Sequence, residues 1–283
     1  MLVAGLLFAG MGIFVKLGAE YFSAAELAFY RSSVSLLMIG AMAAVQRQSL
    51  FTSHWRTHSV RGTFGFISLL AYFYAVTQMP LATAMTLSYT APLFLAALTT
   101  LILGERFPPA LIFAILLGFA GTAFIFQPSI SDGQLLPALL AVSSGFFAAI
   151  AYLNVRKLGR LGEPDWRVVF YFSLIASLGA SAWQATFSTF HPITGQNIGI
   201  LLGMGFCATL AQLALTRAYR TGNMLVVGAL SYCTVVFAAI GGILVWRDWL
   251  PMASWLGIAI IIAGGVIATQ VETREHGKVV IED

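Results

Sequence analysis

Charged side chains are scarce: only 9% of the 283 residues are Asp, Glu, Lys or Arg, against about 25% in soluble domains. A soluble fold of this length could not cover its surface with so few charges, so that class is excluded. Cysteine is scarcer, with two residues, Cys207 and Cys233. Both fall in apolar stretches and read as small packing residues, although an even pair leaves a disulfide open. The four histidines, His54, His58, His191 and His276, are scattered without metal-ligand spacing, so no metal centre and no cofactor is expected. No Walker-type phosphate loop occurs, and ATP is not expected as an energy source. There is also no domain linker, low-complexity tract or soluble domain.

Hydrophobic residues make up 59% of the chain. Runs free of Asp, Glu, Lys and Arg cover residues 62 to 104, 107 to 131, 133 to 155, 168 to 216, 221 to 246 and 249 to 271. A bilayer core of about 30 Å takes about 20 helical residues, so the first and fourth of these runs hold two spans each and the others one. Two more spans lie at residues 1 to 17 and 27 to 45. The expected fold class is an all-α polytopic membrane protein with ten transmembrane helices. The length of each run favours helices over barrel strands. The first run starts at Met1 without a basic leader and is read as an uncleaved helix.

Basic residues set the orientation. With a cytoplasmic N-terminus, 12 of the 15 Lys and Arg residues fall on inner segments, leaving Lys16 and Arg247 at outer ends and Arg31 inside the second span. Both termini are then cytoplasmic. The net charge of +4 reflects topology and anionic-lipid contact, and no nucleic-acid partner is expected.

One stretch occurs twice. Residues 87 to 127 and 230 to 270 align without a gap at an offset of 143, with 12 identities in 41 positions, where chance gives about three or four. Leu87-Ser88-Tyr89 falls on Leu230-Ser231-Tyr232, Glu105 on Asp248, Pro108 on Pro251 and Gly121 on Gly264. Upstream, Phe14-Val15-Lys16-Leu17 is similar to Val155-Arg156-Lys157-Leu158, and Phe29-Tyr30 to Phe170-Tyr171. The unit is therefore five helices: residues 1-130, then 131-271, followed by a polar tail, 272-283, expected to be loose. Two consecutive units with an odd number of spans enter the membrane from opposite sides and form inverted repeats. Such repeats can exchange conformations around one central site, which points to a transporter. A mere ten-helix scaffold is the bland alternative.

These copies, above all Leu103-Gly104-Glu105, Pro108, Gly118 and Gly121 with Trp246-Arg247-Asp248, Pro251, Gly257 and Gly264, resemble the drug/metabolite transporter superfamily and its ten-helix EamA-type group. Arg247-Asp248 departs from the Gly-Glu expected of that group. The resemblance covers essentially the whole chain. It implies a secondary transporter of the bacterial inner membrane, with amino-acid-like, nucleoside-derivative or vitamin-like metabolites as substrates, and leaves the particular substrate open.

A solute path needs polar or aromatic groups facing the bundle interior near mid-depth. Ser88 and Tyr89 lie about 11 Å inside the fourth span, with Pro92 able to kink the helix beside a cavity; Ser231 and Tyr232 are their mates. Tyr74 and Gln78 share a helix face, with Tyr72 nearby. Thr209 and Gln212 lie on a stripe continuing to Thr216. Arg31 is the sharpest residue, read either as an anion-binding group at the outer mouth or as the partner of Glu26 or Glu20. The substrate-binding candidates are thus Arg31, Tyr72, Tyr74, Gln78, Ser88, Tyr89, Thr209, Gln212, Ser231 and Tyr232. For the polar members, interhelical hydrogen bonding is the structural alternative. Tyr152 and Asn154 are weaker candidates. Glu105 and Asp248 suit N-terminal capping of the helices that follow them, and Lys16 and the glycines suit packing.

No acid or histidine lies centrally in a span, so a carboxylate proton relay has no candidate except Glu20 or Glu26 near the outer end. An integral-membrane enzyme acting on a lipid would need clustered interfacial acids or histidines, and a scaffold would need no polar residues at mid-depth. The expected partners are a small-molecule substrate and the lipid bilayer. A homodimer is compatible with the sequence.

Overall fold

The computed structural model describes the chain except residues 80, 129, 131–132, 188, 248–250 and 283 and the side chains of residues 76–77, 81–82, 103 and 274–282. The expected capping role of Asp248 therefore lies outside the described residues. Twelve helices and no strand occur among the described residues. They are α1 (Leu2–Gly18), α2 (Ala24–Val45), α3 (Trp55–Gln78), α4 (Leu81–Ser88), α5 (Ala91–Leu103), α6 (Pro109–Phe126), α7 (Leu135–Arg160), α8 (Asp165–Phe187), α9 (Ile198–Thr221), α10 (Met224–Ser231), α11 (Cys233–Trp246) and α12 (Met252–Glu282). An apolar chain in lipid must satisfy its backbone internally, and helices do this within each segment.

Two pairs of helices run on end to end. α4 and α5 form one span over Thr83–Ile102, and α10 and α11 form one over Met224–Trp246. Counted in this way, eight helices among the described residues are long and apolar enough to cross a membrane, fewer than the ten expected. α1 is apolar but only 17 residues long, and α3, at 24 residues, opens on the cations Arg56 and Arg61. α12 continues to Glu282, where a loose tail was expected. Its last two turns contain no proline to stop the helix.

The breaks within the paired spans fall at equivalent places, although only the first has a proline. Pro92 opens α5; Val235 stands at the equivalent position in α11. Proline alone therefore does not make the break. In both copies a hydroxyl captures a carbonyl of the preceding turn: Thr90 donates to the Leu87 carbonyl at 2.6 Å, and Ser231 donates to that of Gly228 at 2.6 Å. The far ends also match. Gly104 closes α5 at φ +66°, and Arg247, its equivalent, closes α11 at φ +58°.

α3 packs along α7 and α1 along α9, α2 along α8, and α6 along α12. If α1–α6 are matched in order to α7–α12, each of these contacts maps onto another or onto itself, which is the pattern of a pseudo-two-fold. The α6–α12 crossing shows it at atomic scale. A Cβ on Gly121 would lie 2.7 Å from the Gly257 carbonyl, and one on Gly264 would lie 2.9 Å from the Ala114 carbonyl. Shifting 121 and 114 by 143 gives 264 and 257, so the two contacts are copies of each other. Small residues permit this approach, which is how helices associate where lipid removes the hydrophobic drive.

Glu105 does not cap α6, which starts at Pro109 without a side-chain cap. Its carboxylate instead accepts from Arg156 of α7 at 2.9 Å and pairs with Arg160 at 3.5 Å. The turn after Gly104 carries the acid away from the α6 amides towards these cations.

Candidate functional site

A cavity of about 360 Å³ lies between the two sets of helices. α1, α2, α3 and α4/α5 supply walls from the first half; α7, α9, Ser231 and α11 supply the rest. Six of the ten sequence candidates line it: Arg31, Tyr72, Ser88, Tyr89, Gln212 and Ser231. The wall between these polar groups is aromatic or aliphatic, with Phe8 from α1 and Phe73 from α3 beside Tyr72.

The other four candidates sit elsewhere. Tyr74 is 41% exposed: two residues from Tyr72, it is turned by about 200° around α3, so only one of the two can face inward. Gln78 is exposed at the end of α3, and its carbonyl accepts from Gln134 at 3.4 Å. The Thr209 hydroxyl donates to the Gly205 carbonyl at 2.6 Å and lies 2.8 Å from the Ser35 hydroxyl, a tie between α9 and α2. Tyr232 is wholly buried, its hydroxyl donating to the Tyr89 carbonyl at 3.1 Å. The Tyr232 ring fits because it meets Gly118, where a Cβ would fall 2.2 Å from the ring.

Arg31 is 8% exposed and faces the cavity. It does not pair with Glu26, whose carboxylate accepts from the backbone of Ser23 at 2.8 Å and from the backbone and ring of His191 at 2.6 and 2.8 Å. The first contact, with Ser23 accepting from the Glu26 amide, is a capping box that starts α2. Among the described residues Arg31 makes no hydrogen bond or ion pair.

Arg61 stands just behind the wall. It is 2% exposed, donates through Nη2 to Gln212 Oε1 at 3.2 Å, and lies over the Phe172 ring at 3.8 Å. Among the described residues its buried Nε and Nη1 have no hydrogen-bond partner. The sequence pattern puts Arg61 on a cytoplasmic segment, because the charge-free run begins one residue later. Seven residues into a helix, a long side chain can still reach the interior. Tyr152, a weaker candidate, lines the cavity and stacks on Tyr219 at 4.6 Å; Asn154 instead donates to its own helix at 2.9 Å. Two serines missing from the sequence candidates, Ser68 and Ser144, complete the wall beside Ser88. Ser88 and Ser144 Oγ are 2.8 Å apart, and Ser68 donates to the Ser144 carbonyl at 2.8 Å. Small hydroxyl residues in apolar runs carry little sequence signal, since they serve packing as often as binding.

At one end of the bundle the α2–α3 loop is held to the start of α8. Glu163 accepts from Arg167 at 2.9 Å and from the Thr52 hydroxyl, with His58 Nε2 3.4 Å away. Burial pushes the Glu163 carboxyl up, but the hydrogen bonds from Thr52 and Arg167, with His58 close by, outweigh it and hold the group below the usual range. Arg167 also donates to the Ser49 carbonyl at 2.8 Å, and Tyr171 to that of Leu50 at 3.1 Å.

An all-helical membrane bundle of two matched halves around a partly polar cavity is the frame a membrane transporter requires. The EamA-like transporter family model matches the chain twice, over residues 1–127 and 135–270, and the chain belongs to that family. A pseudopaline exporter of Pseudomonas aeruginosa (strain UCBPP-PA14) is 32% identical over 266 residues, covering 94% of this chain and 90% of the relative. A riboflavin transporter of Vibrio cholerae serotype O1 is 29% identical over 289 residues, covering 98% and 94%. A solved crystal structure superposes with a TM-score of 0.85 over 96% of both chains at 20% identity, a likeness of fold. The family and these relatives place the chain among multi-pass membrane transporters and not among enzymes.

Proposed function

We propose that the protein is a secondary transporter that moves a small polar or amphipathic metabolite across the bacterial inner membrane by alternating access. The observation that carries this reading is the cavity whose walls come from both halves, because a rocking motion between matched units exposes such a space to one side and then the other. α1 and α3 complete ten spans in this reading. Five spans per unit then make the halves inverted, and the excess of Lys and Arg on one set of loops puts both termini in the cytoplasm. Relatives named for pseudopaline export and for riboflavin transport support an organic metabolite as cargo, of the amino-acid-like, nucleoside-derivative or vitamin-like kind.

Arg31, Tyr72, Ser88, Tyr89, Gln212 and Ser231 are the substrate-contacting set. Proteoliposomes loaded with such metabolites should show saturable flux, reduced at least tenfold by Gln212→Ala, with the variant folding normally. Folded protein without saturable flux of any tested class would sink the transporter mechanism.

A further inference from the structure

Two buried cations without an acid are the unexplained feature of the cavity. Arg31 faces the space and Arg61 touches two of its lining residues, Gln212 by hydrogen bond and Gly65 by contact, since a Cβ on Gly65 would fall 3.1 Å from Arg61 Nη1. Arg31 and Tyr152 line the same cavity as Gln212, the partner of Arg61. Among the described residues no Asp or Glu lines the cavity. Among the described residues the Arg61 charge meets a neutral amide oxygen and an aromatic face. A buried cation is costly unless something compensates it. In a transporter the compensating group can be the cargo itself, and a planar guanidinium presents the paired donors that suit a carboxylate.

We propose that the cavity takes an organic anion, its carboxylate seated on Arg31 with Arg61 as the second cation, and its apolar body among Phe8, Tyr72, Phe73 and Tyr89. This deepens the transporter reading and rests on it for movement, though not for binding. Arg31 supplies the direct contact. Arg61 acts through Gln212, which it holds by the amide oxygen, leaving the Gln212 NH₂ free to donate to the same carboxylate. Carrying an anion makes each turnover move negative charge, so flux grows when the compartment being emptied is negative.

The test uses the purified full-length protein and a panel of carboxylates with apolar bodies of varied size, such as 4-phenylbutyrate. Each is matched by its neutral amide and by an ammonium of equal length. Thermal unfolding reads binding, because a ligand of the folded state raises Tm by mass action. Carboxylates should raise Tm and the matched amides and ammonium compounds should not. Arg31→Gln should weaken carboxylate binding at least tenfold, Arg31→Lys should restore part of it, and Arg61→Lys should weaken it less than Arg31→Gln. Arg31→Gln should also raise the Tm of the ligand-free protein by about 2–4 °C, as an uncompensated buried cation leaves; an arginine that served packing would lower it. Equal binding of amides or ammonium compounds, no carboxylate binding by the wild type, or unchanged binding in Arg31→Gln would each overturn the proposal.

Flux in proteoliposomes separates the two readings. Carboxylates that bind but do not move would leave the anion site standing and remove the transporter mechanism. Saturable movement of neutral or cationic compounds alone would keep the mechanism and remove the anion site. For carboxylates, flux should rise when a potassium gradient with valinomycin makes the emptied side negative; an unchanged rate would contradict an anionic cargo.

Discussion

Tyr89 and Tyr232 hold the same place in the two repeats and the same Leu-Ser-Tyr setting, yet the Tyr89 ring faces the cavity while the Tyr232 ring is sealed in the core. The residues opposite them account for this. Tyr232 packs on Gly118, and the position equivalent to Gly118 in the second half is Ile261, itself buried. A hydrogen on one side leaves room for a ring, and a branched side chain on the other fills it. The two hydroxyl neighbours differ in the same sense: Ser88 reaches across to Ser144 of α7, while Ser231 donates within its own helix. Matched sequence therefore builds a symmetric frame around an asymmetric site. Under alternating access, two such halves need only exchange their arrangements to turn the site around.

The sharpest way to break this comparison is to remove both rings in turn. Tyr232→Ala empties a fully packed place and should cost about 3–5 kcal/mol, read as a large drop in unfolding temperature in detergent. Tyr89→Ala borders a space that already exists, so it should cost about 1 kcal/mol or less while lowering flux. Gly118→Ala should itself destabilise, because the new methyl meets the Tyr232 ring at 2.2 Å. Its cost should shrink when Tyr232→Ala is also present, since the two changes share one contact. Equal losses for Tyr89→Ala and Tyr232→Ala would show that both rings are core.

A smaller effect is expected where α5 and α11 end. Gly104 and Arg247 both take left-handed backbone, at φ +66° and +58°, a conformation that costs a residue with a Cβ roughly 1–2 kcal/mol. A Cβ on Gly104 would meet nothing within 4 Å, so any penalty there is conformational. Arg247→Gly should stabilise by roughly 0.5–1 kcal/mol after the added freedom of the unfolded chain is subtracted. Gly104→Ala should destabilise by a similar amount. If Arg247→Gly proved destabilising, Arg247 would have to hold its turn through its side chain.

The frame was legible in the sequence because it is repeated. The offset of 143 located the paired spans, the α6–α12 glycines and the matching turns without any knowledge of contacts. Length and apolar composition mark only eight of the ten expected spans among the described residues, since α1 is short and α3 starts on cations. The site was half legible. Arg31, Tyr89 and Gln212 stood out as polar groups in apolar runs, but a run says nothing about which neighbour a face meets. The pattern pairs Tyr74 with Tyr72 although the helix turns them apart, and Tyr232 with Tyr89 although the facing Gly118 and Ile261 distinguish them. Arg61 escapes the pattern for a different reason: the boundary of a charge-free run is not the membrane boundary, and a guanidinium reaches well past its own Cα. Glu105 was given to the nearer helix end, while its partners, Arg156 and Arg160, lie 51 and 55 positions further along the chain.

The finest test of the asymmetry lies in the two serines. Ser88 and Ser144 share a hydroxyl contact at 2.8 Å between α4 and α7, whereas the Ser231 hydroxyl is committed to Gly228 within α10. Interhelical hydrogen bonds in membrane proteins are worth about 0.6 kcal/mol on average, because the unfolded helices also find partners. A double-mutant cycle of Ser88→Ala with Ser144→Ala should therefore show a coupling of about that size. The cycle of Ser231→Ala with Ser144→Ala should show none beyond error. Ser144 keeps its bond to the Ala141 carbonyl at 2.6 Å in every variant that retains it, so the Ser88 cycle isolates the contact between helices. Equal coupling of Ser144 to both serines would mean that Ser231 reaches it as well, and the asymmetry would then be confined to the tyrosines.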